Sequence, residues 1–180
     1  PLKLQHTSSK NVIQRIKQVC KLQSLSIKQK QYLNIIRNEK KSVMDFKVEI
    51  LKHPTEDDWM LAKRCTLVTV GKDSEKAPTD EWKRKLLAAQ HSPIRTLEFC
   101  FRITNVPSWV ATHLVRHVHA TPFVKTQRND RQSDYDRNLA PQGTPVDMCW
   151  FMNAEELMVI ANKRLCNQAS KETREVVQEM

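Results

Sequence analysis

Glycine is nearly missing from this sequence: Gly71 and Gly143 are the only two in 180 residues. Rossmann and Walker loops need glycines at a strand-to-helix turn, where bare backbone lets a pyrophosphate approach closely. Two isolated glycines exclude both, so any nucleotide must be held by side chains and helix ends. The five cysteines, Cys20, Cys65, Cys100, Cys149 and Cys166, are odd in number and widely spaced, with no CxxC pair. This argues against a disulfide framework or a zinc knuckle and fits a reducing cytoplasm. No stretch approaches the roughly 20 apolar residues of a membrane helix. No charged-then-apolar leader marks a secretory signal. The expected location is therefore cytoplasmic, with no membrane contact.

What is present is one domain's worth of chain with a basic front end. The formal charge of +10 suggests a nucleic-acid partner, but its distribution weakens that idea. Residues 1–43 hold ten Lys or Arg and one acid, Glu39, for +9; residues 44–180 hold the remaining +1. The first 43 residues also hold six Gln and no Asp, and Val12, Ile16 and Val19 sit at helical spacing. We therefore divide the chain into a basic N-terminal segment, 1–43, which is either an extension outside the fold or part of it, and a domain, 44–180, that starts where the texture changes at Met44.

The domain reads as α+β. Phe46–Leu51 alternates as a strand. Thr55 caps a helix over Glu56–Arg64, with acids in its first turn. Cys65–Val70 is a further short apolar run, ended by Gly71. Thr79 caps an amphipathic helix over Asp80–Gln90. Leu97, Phe99, Phe101 and Ile103 give Thr96–Thr104 the period of a strand. Pro107 opens a helix reaching about His117, and Phe123–Arg128 reads as extended. Residues 129–147 are polar and read as a loop. One long helix is expected from Asn153 to Val177, with Ala154, Leu157, Met158, Ala161, Leu165 and Ala169 on its apolar stripe. The fold expected is thus a mixed single domain with an antiparallel sheet and a long C-terminal helix.

Three clusters could carry chemistry. The densest joins His113, Arg116, His117 and His119 to Lys125, Thr126, Gln127, Arg128, Asn129, Asp130 and Arg131. Arginine forks match two phosphate oxygens at once, and His113, Arg116 and His117 are spaced for one helix surface. A solvated basic helix end explains the same residues. A zinc site from His113, His117 and His119 is a third reading, but no carboxylate or cysteine stands at ligand spacing, so no metal is expected. The second cluster is His91-Ser92-Pro93-Ile94-Arg95, where Ser92 either holds a phosphate or caps a turn. The third is Asn162, Arg164, Gln168, Glu172 and Arg174. Arg164 falls on the apolar stripe, where a charge must be paired, bind something, or snorkel at the edge.

Taken in order, these clusters resemble the flavin-dependent thymidylate synthase family. That family has an Arg-His-Arg, a short spacer and a Ser-x-Arg; here Arg116-His117-Val118 and Thr126-Gln127-Arg128 stand in those places. His91-Ser92-Pro93 before Phe99 and Phe101 resembles the family's turn before an aromatic strand. Arg164, Ala169, Glu172 and Arg174 resemble its final helical motif. The resemblance covers about residues 44–180. Val118 in place of the second arginine, Thr126 in place of the serine, and the stop at Met180 suit a divergent or truncated member.

The resemblance implies that dTMP is made from dUMP, with methylenetetrahydrofolate as carbon donor and NADPH-reduced FAD as hydride carrier. It implies a homotetramer with active sites shared between chains. Ser92, Arg116, His117, Asn162, Arg164 and Gln168 would face the flavin. His113, Arg116, Lys125, Thr126, Gln127, Arg128 and Arg174 would face the nucleotide. Arg174 and Thr126 would be catalytic, Arg174 by stabilising the uracil ring as its N3 proton is lost. The rival reading is a non-catalytic nucleic-acid-binding protein that uses the basic tail and the Arg116–Arg131 segment; it requires steeply salt-dependent binding to polyanions.

The charge partition gives a direct test. Deleting residues 1–43 is expected to leave the melting temperature, the oligomeric state and flavin affinity nearly unchanged. A large loss of melting temperature, or of the assembly, would show that the extension is integral to the fold.

Overall fold

Alternation builds the sheet. In β2, Glu98–Pro107, the side chains of Phe99, Phe101 and Ile103 are buried, while Arg102 between them is exposed. In β4, Pro145–Asn153, Val146, Met148, Trp150 and Met152 are buried in the same rhythm. The two strands pair antiparallel, setting Phe99 opposite Met152, Phe101 opposite Trp150, and Ile103 opposite Met148. Cross-strand partners share a face, so these six side chains form one apolar slab. β1, Lys47–Lys52, and β3, Thr121–Val124, flank it, giving the order β1-β2-β4-β3. This computed structural model describes residues 45–131 and 136–180.

Among the described residues five helices complete the α+β fold. In α1, Glu56–Val68, Thr55 closes a full capping box: its hydroxyl accepts from Asp58 N–H and Asp58 Oδ2 accepts from Thr55 N–H at 2.7 Å. In α2, Asp80–Ala89, Thr79 is the cap, and Gln90 ends the helix in the left-handed region at φ 49°. A 3-10 turn, Ser92–Thr96, leads into β2. Then come α3, Ser108–Leu114, α4, Ala154–Arg164, and α5, Lys171–Glu179. Their inward residues, among them Trp59, Leu86, Val110, Leu114, Leu157, Ile160 and Val176, join the slab in one core.

The structure corrects four expectations. The region read as a polar loop over 129–147 already enters β4 at Pro145, and that strand continues through Asn153 as a central member of the sheet. Its alternation is evident in the sequence, but the Pro, Asp and Gly content just before it masks the signal. The apolar run from Cys65 belongs to α1, which continues to Val68; no breaker precedes Gly71. The helix opened at Pro107 ends at Leu114, short of His117.

The single long C-terminal helix is two helices. α4 ends at Arg164, and Ser170 starts α5 afresh by accepting from Thr173 N–H. The break turns α5 so that Thr173, Val176 and Val177 are buried, with α5 against α3 and α4. Packing outweighs the helical propensity of the connecting residues. The expected helix at Val12, Ile16 and Val19, and the boundary at Met44, lie outside the described residues.

Trp150 sits at the centre of the slab with no exposed surface. Trp150→Ala is expected to cost about 3–5 kcal/mol of unfolding free energy, measured by urea denaturation. Its indole N–H is buried without a partner among the described residues, so Trp150→Phe, which deletes that donor, should cost distinctly less.

Candidate functional site

The site forms where the chain leaves α3. Val115 closes the helix, and the turn that follows is held by His117 N–H to the Leu114 carbonyl at 3.2 Å and Ala120 N–H to the His117 carbonyl at 3.1 Å. The turn drives His117 inward, to 5% exposure, and leaves Val118 outward at 84%. Arg116 and His117 therefore lie beyond α3 and share no helix surface with His113, contrary to their spacing.

His117 meets the end of α4. The Arg164 Nε–H donates to His117 Nε2 at 3.0 Å, and its Nη2 donates to the His113 carbonyl at 2.8 Å. The other ring nitrogen, Nδ1, lies 3.3 Å from Glu156 Oε1. Glu156, in the first turn of α4, is also 5% exposed. The ring meets Trp150 edge-on at a centroid distance of 6.0 Å, which ties the site to the sheet core. Burial, and then the charges of Arg164 and Lys163, lower the His117 pKa to about 4. Burial raises the Glu156 carboxyl above its ordinary range, against the opposing pull of His119 and Lys163. Burial, then Arg116, lowers Arg164.

A cavity of about 380 Å³ opens over this group. Arg116, His119, Lys163 and Arg164 supply its cationic border, and Val118 and Val159 an apolar wall. Such a lining suits an anionic group presented beside an apolar or aromatic one.

The structure thus brings Arg116, His117 and Arg164 together from separate parts of the sequence. His113 joins through its backbone carbonyl, while its ring packs edge-on to Trp109. Ser92, exposed at the head of the 3-10 turn, does not border the cavity; nor do Asn162 on α4 and Gln168 in the α4–α5 connection. Lys125, Thr126, Gln127 and Arg128 follow β3 as a separate group. There the Thr126 hydroxyl accepts from Arg128 N–H, and the Arg128 fork grips Asp130 at 2.9 and 2.6 Å. Arg174, on α5, donates to Asn167 Oδ1 at 3.4 Å. The zinc reading loses its central ligand, because both nitrogens of His117 are engaged by Arg164 and Glu156. Among the described residues no cluster of three metal-ligating side chains occurs.

Sequence reasoning placed His119 in the densest cluster but missed Glu156 and Lys163. Glu156 follows Asn153 by three residues and looks like an exposed first-turn acid. Its flanks, Leu157 and Met158, were the available sign that this part of α4 is buried.

Residues 129–180 match the family model Thy1, thymidylate synthase complementing protein. The match spans under a third of the chain and begins beyond the Arg116-His117 turn. Two crystal structures of thymidylate synthase X from Helicobacter pylori, each with FAD and dUMP, are similar in fold to this chain. Both have a TM-score of 0.59, at 15% and 14% identity, covering 74% of this chain and 90% and 91% of theirs. No curated protein matches the chain's sequence.

The buried imidazole makes stability pH-dependent. His117 has a folded pKa of about 4 against an ordinary value of 6.5, so the unfolded chain takes up the proton first as pH falls. The stabilisation from a neutral His117 is complete above about pH 6.5 and is lost as pH drops towards 4. Glu156, raised by burial, contributes with the opposite sign, so the comparison is made against His117→Asn. Denaturation of both proteins from pH 7 to 4 should show the wild-type advantage shrinking across that window. An advantage independent of pH would contradict a neutral, buried His117.

Proposed function

We propose that this chain is a flavin-dependent thymidylate synthase, making dTMP from dUMP with methylenetetrahydrofolate as carbon donor and NADPH as reductant. The observation that carries this reading is the cationic cavity at Arg116 and Arg164, in a chain whose residues 129–180 bear the Thy1 signature. The donor set fits FAD: two guanidinium groups and Lys163 suit its pyrophosphate, and Val118 and Val159 offer apolar contact. Bound there, the flavin would supply the hydride that completes the methyl group.

The chain's own residues would bind and orient. Arg116, His117 and Arg164 would hold the flavin, with Ser92, Asn162 and Gln168 as outer contacts. His113, Arg116, Lys125, Thr126, Gln127, Arg128 and Arg174 would hold the nucleotide. Arg174 would place a fixed positive charge beside the uracil as N3 loses its proton, which favours attack from carbon 5.

The nucleotide group and the cavity are separate in one chain, which supports a homotetramer whose sites draw residues from more than one subunit. The exposure of Val118, Phe123, Val124 and Leu139 supports the same reading, since large apolar side chains left in water mark contact surfaces. Among the described residues no helix is long and apolar enough to cross a membrane; a cytoplasmic setting follows from the proposed chemistry.

The full chain should purify yellow, or gain thermal stability on adding FAD, and should release tritium from carbon 5 of labelled dUMP. Arg174→Ala should keep flavin and lose tritium release by about 3 kcal/mol, on the order of a hundredfold. A colourless protein that ignores FAD and binds polyanions with steep salt dependence would overturn the reading in favour of a nucleic-acid binder. Near-normal release from the Arg174 variant would remove that residue from the site, and joint loss of flavin and release would mean that it serves the cofactor.

A further inference from the structure

Arginine has donors only, so His117 Nε2 must be the acceptor of its 3.0 Å bond with Arg164 Nε. A neutral imidazole carries one proton, which must then sit on Nδ1, the nitrogen facing Glu156 Oε1 at 3.3 Å. This is the less favoured tautomer of a free histidine side chain, so something must select it. Glu156 is the group placed to do so. Its own N–H is capped by Asn153 Oδ1 at 3.0 Å, and its carboxylate is committed to the His117 side rather than to solvent.

We propose that Glu156 is the positioning residue of the cavity: it holds His117 as the Nδ1–H tautomer and, through Nε2, fixes the Arg164 guanidinium at the cavity border. What Arg164 in turn grips rests on the functional reading above; the chain of bonds does not.

Removing the acceptor has two effects. The Nδ1–H, on a ring only 5% exposed, loses its partner, which is costly for a buried donor. The ring then reverts to Nε2–H, and that proton faces the Arg164 Nε–H donor to donor. Arg164 keeps its bond to the His113 carbonyl alone and can pivot about it. Charge acts in the same direction. Arg116, His119 and Lys163 border the cavity with Arg164, and Glu156 is the acid on that border. The neighbouring Glu155 is taken up by Arg95 at 2.6 Å. A glutamine in place of Glu156 keeps the acceptor without the charge, which separates the two effects.

The experiment uses the full chain labelled with 15N-histidine, as wild type, Glu156→Gln and Glu156→Leu. The ring nitrogens of His117, assigned by loss of signal in His117→Asn, report the tautomer, and flavin fluorescence reports FAD affinity. Wild type and Glu156→Gln should show Nδ1–H; Glu156→Leu should show Nε2–H. FAD should bind Glu156→Gln within a few-fold of wild type and Glu156→Leu about 10–100-fold more weakly, by analogy with the loss seen when an outer partner of a metal-ligating histidine is removed. If the leucine variant does not fold, Glu156→Ala takes its place. Nε2–H in the wild type, or Nδ1–H persisting without an acceptor at 156, overturns the proposal. So does unchanged FAD affinity in a leucine variant whose tautomer has switched. A wild type that shows the Nδ1–H pattern but takes no FAD overturns the functional reading and supports the positioning role.

Discussion

The bond between Arg164 and His117 joins two parts of the chain that local structure would leave apart. One is the last residue of α4; the other lies in the turn after α3. The turn and the Trp150 contact bring His117 inward, and this bond supplies the polar partner that each side chain needs there. Without it, Arg164 would be a long side chain at the edge of an apolar stripe. With it, the turn is held under α4, the cavity gains a floor, and Arg116 and Lys163 come to border the same space.

Such an arrangement is not an obvious source of stability. Burying a guanidinium and a carboxylate costs more than their attraction readily returns unless every donor and acceptor is matched. Here a neutral imidazole stands between the two charges and satisfies one group on each side. The free energy that holds the group together comes from elsewhere: from Phe101 against Trp150, and from Leu157, Ile160 and Val176 packed on the slab. The ring of His117 touches that core through Trp150. The polar group is therefore carried by an apolar frame, and its value is in the placement of Arg164.

Much of the frame is legible in the sequence. Period-two alternation marks β2, and threonine caps mark α1 and α2, because each of these signals is local. β4 carries an equally regular alternation, but it adjoins a segment rich in turn residues that biases the reading towards loop. The break between α4 and α5 has no glycine or proline to announce it; it follows from the need of Val176 and Val177 to reach the core. The candidate site divides in the same way. Arg116, His117 and Arg164 stand out because they are charged or titratable residues at family-like spacing. Glu156 does not, because first-turn acids are ordinary on helices, and only the approach of a distant turn makes this one a partner.

The connection between α4 and α5 also changes what kind of object the C-terminal segment is. In one straight helix, Arg164 and Arg174 would be fixed in separation and angle by backbone geometry alone. As built, each sits on its own helix, and residues 165–170 make the turn between them. Arg164 takes its position from His117 and the His113 carbonyl, whereas Arg174 takes its position from the seating of Thr173, Val176 and Val177 in the core. Each charge is thereby specified by contacts that the other does not share.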